Sequence, residues 1–287
     1  MIHLWRFFLS TFRDNKAPLA ITYFLVALEM SGALCFPYLI GQAINGMFIS
    51  SYWPLALFLV VKIAWIIVAN IRLRYDTRTY SGIYFDSITK YLQRQSASDD
   101  LSRKSAHSNL IKEIIVFMEY DFIHIATAVF DIVGSLFILY FYNLKIVAIC
   151  LLVLVPVWFI SKKYGKNMLS LERSKNDESE KQVDIIKEND EPAVNAHYRK
   201  LQNFEIKISN NIAWNFAVME VLAIAVITAA LFFSKVYGDT KIAAGDLIAI
   251  YFYIAKFTTA LDTLPYLLHK VYALDDITRR FEATELE

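Results

Sequence analysis

Six apolar runs restrict the fold of this sequence more than any other feature, because each is close to the ~20 residues that a helix needs to cross a bilayer. They span residues 17–39, 54–71, 122–141, 144–161, 212–234 and 246–269. With 56% hydrophobic, 15% aromatic and only 20% charged residues, the 287-residue chain is also too apolar for one ordinary soluble domain. We therefore expect an all-α membrane protein with six transmembrane helices.

Lysine and arginine are concentrated on one side of these six predicted spans. Roughly two dozen of the 29 lie in the N-terminal segment, in residues 72–121 and 162–211, and after the last span. Only Lys145, Lys235 and Lys241 lie on the other side. Because loops rich in Lys and Arg stay in the cytoplasm, we expect a multi-pass protein of a bacterial inner (plasma) membrane with both termini in the cytoplasm.

Residues 1–16 are predicted to form an amphipathic helix in the plane of the headgroups and not a signal peptide. Trp5, Phe8, Leu9 and Phe12 follow the i, i+3, i+4, i+7 spacing of one helix face. Arginines interrupt the short apolar stretch, and no small-residue cleavage site follows it. This segment is therefore expected to be retained beside the first span.

Two predicted cytoplasmic connections, residues 72–121 and 162–211, are each about fifty residues long, too long to lack structure of their own. Both have helical patterns, and the second has a break at Glu191-Pro192. We therefore predict two long helical hairpins within a six-span domain of residues 17–270, followed by a cytoplasmic helical tail over residues 271–287.

This order of elements, with three local motifs, resembles the transmembrane domain of an ABC exporter. The motifs are PYLIGQAING (37–46), AAGDLIAIYFY (243–253) and LPYLLHKVYALDDITRRFE (264–282). The resemblance covers essentially the whole chain. It implies a domain-swapped homodimer of twice six helices around a central cavity, with hairpin tips near 98–108 and 189–198 where ATP-driven relatives contact their motor.

No phosphate-binding loop is present in the sequence. Gly41 and Gly46 have the spacing of G-x-x-x-x-G-K-[ST], but Met47 and Phe48 occupy the positions that require Lys and Ser or Thr. We therefore expect no ATPase activity in this chain and no enzymatic function. Energy would come from a separate ATPase chain or from an ion gradient.

Other chemistry receives no support from the sequence. Cys35 and Cys150 both lie inside predicted spans and form no metal-spaced set or disulfide framework. The net charge is only +1. No metal, cofactor or nucleic-acid partner is predicted; the expected partners are the lipid bilayer, a second copy of the chain and a small-molecule or peptide substrate.

Ionisable residues inside the spans are the main functional signal, because charges in hydrocarbon are costly. These residues are Glu29, Lys62, Asp131, Glu220, Lys256 and Asp262. One interpretation is that they form buried pairs or contact a water-filled cavity.

Four acids face two lysines, so at least two carboxylates need protonation, water or a substrate cation. Such carboxylates suit proton coupling. We rank Glu220 and Asp262 first, Glu29 and Asp131 next, and His269 and His124 last.

Lys62 and Lys256 are candidates for ion-pair cations or for ligands of an anionic substrate. Lys256 and Asp262 are six residues apart, so they point about 240° apart on a helix and cannot pair with each other. Tyr251, Tyr253 and Trp214 are candidates to line a substrate cavity. The alternative is that these aromatic side chains face lipid or lie in the interfacial belts.

These observations favour a secondary transporter of a small molecule or peptide-like compound, coupled to protons through intramembrane carboxylates and working by alternating access. The alternative is the permease subunit of an ABC transporter that recruits a separately encoded ATPase through its hairpin tips. A third hypothesis is a membrane component that does not transport, such as an assembly partner or immunity protein. Intramembrane charges, which that role would not need, count against it.

Overall fold

A computed structural model of the chain describes residues 11–94, 108, 111–188, 190–236 and 243–263, and these described residues contain no strand. Six of their helices are long and apolar enough to cross a membrane. The helices are α1 (Lys16–Phe48), α2 (Trp53–Arg94), α3 (Ile111–Tyr142), α4 (Leu144–Glu180), the short α5 (Gln182–Glu188), α6 (Glu191–Val236) and α7 (Ala244–Thr263). The predicted all-α, six-span membrane fold is therefore confirmed.

Three helices are much longer than a bilayer requires. α2 has 42 residues, α4 has 37 and α6 has 46. At 1.5 Å per residue α2 is roughly 60 Å long, about twice the ~30 Å hydrocarbon thickness. All three extend past their apolar runs on the same side, which we call the hairpin side. The opposite, short-loop side carries the connections at residues 49–52 and at Asn143.

The second long hairpin consists of α4, α5 and α6, and the predicted break at Glu191-Pro192 coincides with the start of α6 at Glu191. Proline is tolerated in the first turn of a helix, where its missing N–H would have no partner. The predicted tip of the other hairpin, near residues 98–108, lies almost entirely outside the described residues. So do residues 1–10 and 264–287, so the interfacial helix and the helical tail stay predictions.

Helix α7 packs at the centre of the main apolar core. Its side chains Ile250, Tyr253, Ile254 and Phe257 have no exposed surface and contact buried residues of α3, α4 and α6. The Tyr253 hydroxyl donates a hydrogen bond to the carbonyl oxygen of Leu34 in α1, at 2.9 Å. Because its one side-chain polar atom is satisfied, Tyr253 joins α7 to α1 without leaving its own hydroxyl unpaired.

A second apolar cluster holds α1, α2 and α3 together on the hairpin side. It includes Leu19, Tyr80, Ile111, Ile115 and Met118. Within α3, the five residues Phe117–Asp121 form a π-helical turn just before the helix continues through the membrane. A π-helical turn rotates the side chains that follow it relative to those before it. The turn thus helps to set which way the polar residues of the following membrane segment of α3 face.

Candidate functional site

Polar residues at the same helical spacing lie on facing sides of α3 and α7. They follow the i, i+3, i+7 pattern on both helices, so each set occupies one helix face. Together with Ala128 and Ala260 they line an open cavity of about 520 Å³. We call this set the polar seam, and its members are His124, Thr127, Asp131, Lys256, Thr259 and Thr263.

An ion pair lies at the membrane-centre end of the polar seam. The Lys256 ammonium nitrogen donates to Asp131 Oδ1 at 2.8 Å, and the two side chains keep 23% and 14% of their surface exposed. Pairing offsets part of the cost of taking both charges out of bulk water. The sequence predicts both residues within the membrane and Lys256 as an ion-pair cation or substrate ligand, but only the structure identifies Asp131 as its partner.

The polar seam is in the hairpin-side half of the membrane domain. α3 enters the membrane from the hairpin side, so His124 precedes Asp131 in depth, and α7 reaches the same side near Thr263. Thr127 and Thr263 donate hydrogen bonds to the carbonyl oxygens of Ile123 and Ala260, each at 2.8 Å. A cavity with a cation, a carboxylate and hydroxyl groups suits a polar molecule or ions and not hydrocarbon.

Glu29 belongs to a separate charge network between α1 and α2. The Arg72 side chain donates to the Glu29 carboxylate through Nε and to Asp76 Oδ2 through Nη1, the latter at 2.8 Å. The count of two cations for four intramembrane acids omitted Arg72, which follows directly after the second apolar run. The available signal was its position, since a long arginine side chain at a span boundary can reach partners at a different depth.

Lys62 has aromatic neighbours. Its ammonium nitrogen lies 4.0 Å from the ring centroid of Phe36 and 4.3 Å from that of Trp65. Both distances suit cation–π contacts, which stabilise a cation in a site of low polarity. Among the described residues no carboxylate is within ion-pair distance of Lys62, so in this structure α1 and α2 accommodate its charge with aromatic rings.

Glu220 of α6 and Asp262 of α7 each follow a residue of the main apolar core, Met219 and Leu261. Glu220 is exposed and Asp262 is half-buried. Within the described ranges, neither side chain forms a hydrogen bond or an ion pair. The two carboxylates ranked first for proton coupling thus have no cationic partner among the described residues, whereas Glu29 and Asp131 both have one.

The remaining candidates occupy different environments. Tyr253 is fully buried in the core, so it does not line an open cavity in this structure. Tyr251 is 43% exposed, and Trp214 is 72% exposed and lines one side of a cavity between α4 and α6. The exposure of Trp214 suits the alternative interpretation, an interfacial aromatic belt. His269 lies outside the described residues.

On the short-loop side, α1 and α7 approach each other closely. The Gly245 amide donates to Asn45 Oδ1 at 2.8 Å, and Asn45 Nδ2 donates to Asp246 Oδ1 at 3.2 Å. A Cβ atom at Gly41 would lie 2.6 Å from the Gly245 carbonyl oxygen, which leaves no space for it. The sequence motifs at 37–46 and 243–253 are therefore in contact, although each was recognised separately.

The comparison with protein families gives one match. The family model described as ABC transporter transmembrane region matches residues 9–245, which include five of the six membrane-length helices and the first two residues of α7. No relative among curated proteins matches the chain. Because the match covers most of the sequence and agrees with the six membrane-length helices and their hairpins, the chain belongs to the family of ABC transporter transmembrane regions.

Proposed function

We propose that this chain is the membrane-spanning component of an ABC transporter for a small polar or peptide-like molecule, driven by an ATPase domain outside these 287 residues. The observation that carries the proposal is the family match over residues 9–245 on a six-span helical fold. This function is the alternative to proton-coupled transport that the sequence left open. The family match favours the ATPase-driven alternative over the proton-coupled main hypothesis.

A buried ionic contact joins the two long helices of the second hairpin near its tip, so a movement of the tip would be passed to both helices. Glu178 of α4 is buried and lies 3.1 Å from His197 Nδ1 of α6 and 3.3 Å from Lys181 Nζ. Burial raises the pKa of Glu178, but the contacts with His197, Lys181 and Lys200 lower it by more, so its pKa is below the ordinary value. The charged Glu178 therefore joins α4 to α6 near the tip where a motor would dock.

We also propose that two copies of the chain pair, with their polar seams facing a common cavity. The support is energetic: placing Asp131, Lys256 and Thr259 against hydrocarbon would cost free energy that a shared aqueous cavity avoids. This cavity is the proposed substrate path, and alternating access would expose it to one side of the membrane at a time.

The test is ATP dependence of transport in proteoliposomes. The full chain would be affinity-purified from its own membranes with any associated ATPase, reconstituted, and supplied with a panel of small polar compounds and short peptides. We expect uptake with ATP and none with a non-hydrolysable analogue. Uptake that is equal without nucleotide would contradict the proposal.

A second candidate function, proton-coupled secondary transport, is favoured by one observation: among the described residues neither Glu220 nor Asp262 has an ion-pair partner, although both lie in apolar runs. A carboxylate in the membrane without a cation is costly to ionise, so it is suited to loading and releasing a proton. In liposomes without ATP, an imposed pH gradient should then drive substrate-dependent proton flux. Glu220→Gln and Asp262→Asn should abolish it, whereas Glu113→Gln, on the exposed surface of α3, should not.

A further inference from the structure

A second cavity, separate from the polar seam, lies in the groove between α4 and α6. Its volume is about 390 Å³, and Ile160 and Val218 contribute apolar wall. The rest of its lining is polar or aromatic. We call it the α4–α6 groove, and these lining residues are Lys163, Tyr164, Asn167, Asn211, Trp214 and Asn215.

The α4–α6 groove is at the boundary between hydrocarbon and headgroups. The apolar run of α4 ends just before Lys162 and Lys163, and that of α6 begins at Ile212. Exposed Trp158 of α4 and exposed Trp214 of α6 flank this level. Tryptophan is enriched where a membrane protein passes through the interface. The polar lining is thus at the depth of lipid headgroups on the hairpin side.

The lining presents one cation and an unsatisfied acceptor. No carboxylate of the described residues is within ion-pair distance of Lys163. Asn211 makes only a weak contact, 3.9 Å from Nδ2 to the Met168 sulfur. Asn215 Oδ1 is buried, and among the described residues it has no hydrogen-bond donor. A buried acceptor without a partner costs free energy, so the groove favours a ligand with a negative charge and a hydrogen-bond donor.

We propose that the α4–α6 groove binds the headgroup of an anionic glycerophospholipid that carries hydroxyl groups, as phosphatidylglycerol does. The phosphate would be neutralised by Lys163, and a headgroup hydroxyl would donate to Asn215 Oδ1 once the Asn215 side chain turns this buried atom toward the groove. Basic pockets between transmembrane helices at this depth are suited to anionic headgroups. Leu152, Val155 and Phe159 of α4 are exposed on the membrane side of the groove and offer an apolar surface for acyl chains.

A lipid explains the composition of the groove better than a soluble anion does. A free phosphate would satisfy Lys163 but would leave the apolar wall at Ile160 and Val218 without a contact. A lipid can contact Lys163, Asn215 and the apolar wall together. Its polar headgroup and apolar chains meet at the same depth as the polar and apolar parts of the groove. The proposal does not depend on which energy source drives transport.

The test is native mass spectrometry of the full chain in detergent, with phosphatidylglycerol, phosphatidylethanolamine or phosphatidylcholine of matched acyl chains. We expect phosphatidylglycerol to be retained most strongly. Lys163→Gln should weaken its binding about fivefold, the size of effect expected for one lysine at an anionic headgroup. Lys162→Gln is the matched control, because this lysine is adjacent, exposed and outside the groove lining, and it should change binding little.

Asn215→Leu tests the proposed hydroxyl contact separately. It should reduce the preference for phosphatidylglycerol over phosphatidylethanolamine while the protein stays folded, as its melting temperature would report. Equal losses in Lys162→Gln and Lys163→Gln would overturn the proposal in favour of general interfacial charge. So would equal retention of all three lipids, or inorganic phosphate competing fully with the lipid. A change of oligomeric mass in Lys163→Gln, with lipid binding unaltered, would instead identify the groove as an interface between copies.

Discussion

The two ends of α7 are held by different kinds of contact. On the short-loop side, Gly245 and Gly41 bring the backbones of α7 and α1 together, and Asn45 bonds to the first turn of α7. Toward the hairpin side, α7 meets α3 across an open cavity with the Lys256–Asp131 ion pair at its inner end. At the short-loop end, the closed end, α7 and α1 are in close backbone contact, whereas at the other end α7 and α3 are joined by an ion pair.

The difference indicates which end of α7 can change its contacts at lower cost. Backbones in contact through glycine have one favourable arrangement, because any separation loses close packing without a replacement. An ion pair beside an open cavity can exchange one partner for another charged group, such as one on a substrate, whereas a charge left without any partner is costly. We therefore expect substitutions at the ion-pair end of α7 to lower the free energy of unfolding most when they leave one charge without a partner. Substitutions at the Gly245 end should act through steric overlap with α1.

Lys256→Met should have the largest effect, because it leaves the Asp131 carboxylate without its cation. We expect the free energy of unfolding to fall by about 3 kcal/mol, the lower range for removal of one partner of a buried pair. Unfolding by SDS titration from mild detergent measures it. Adding Asp131→Asn should recover most of the loss.

Lys62→Met is the matched control and should lower the free energy of unfolding by only about 0.5–1 kcal/mol, the energy of a cation–π contact. Equal losses in both lysine variants would contradict a structural role for the Lys256–Asp131 pair.

Gly245→Ala should lower the free energy of unfolding by about 2 kcal/mol, because its new Cβ would overlap the Gly41 carbonyl oxygen and the Asn45 side chain. Gly82→Ala of α2 is a control of opposite sign. A Cβ there meets nothing within 4 Å, so alanine should stabilise the helix by up to about 1 kcal/mol. The same titration compares the two, and a stabilising Gly245→Ala would show that the closed end is not tightly packed.

Asn45→Ala should have a smaller effect, about 1 kcal/mol of unfolding free energy. Ala243 immediately precedes α7 and has no side-chain acceptor, so Asn45 of α1 serves as the cap for the Gly245 amide. Its loss is equivalent to removal of a helix cap. Asn70→Ala, an exposed position of α2, is the control. Hydrogen exchange at the start of α7 should increase in Asn45→Ala alone; unchanged exchange would exclude the capping role.

Glu178→Gln should give the smallest effect and one that depends on pH. Its folded-state pKa is lowered from the ordinary 4.5, so its contribution to stability is complete above that pH and is lost as the pH falls through the folded-state pKa. The melting temperature of the variant should therefore be below wild type at pH 7, and the difference should shrink below about pH 4.5. Asp177→Asn, on the exposed face of α4, should show no such trend; a difference for Glu178→Gln that is constant with pH would contradict the ionic contact.

Sequence alone was sufficient for the spans and hairpins because hydropathy and helix length are local properties. A run such as 144–161 must be buried in lipid or protein wherever its neighbours lie, and a charged helical pattern beyond it predicts a projection into water. Glu29, Asp131, Glu220 and Asp262 were likewise recognisable as intramembrane acids from their position within apolar runs.

Only the tertiary structure decided which of those acids have partners. Glu29 pairs with Arg72, 43 positions away, Asp131 with Lys256, 125 positions away, and Asn45 contacts Gly245, 200 positions away. No local pattern carries such pairings, because they depend on how six similar apolar helices rotate and pack against each other. Sequence therefore determined which residues enter the membrane, whereas helix packing determined that Glu29 and Asp131 pair with cations while Glu220 and Asp262, among the described residues, do not.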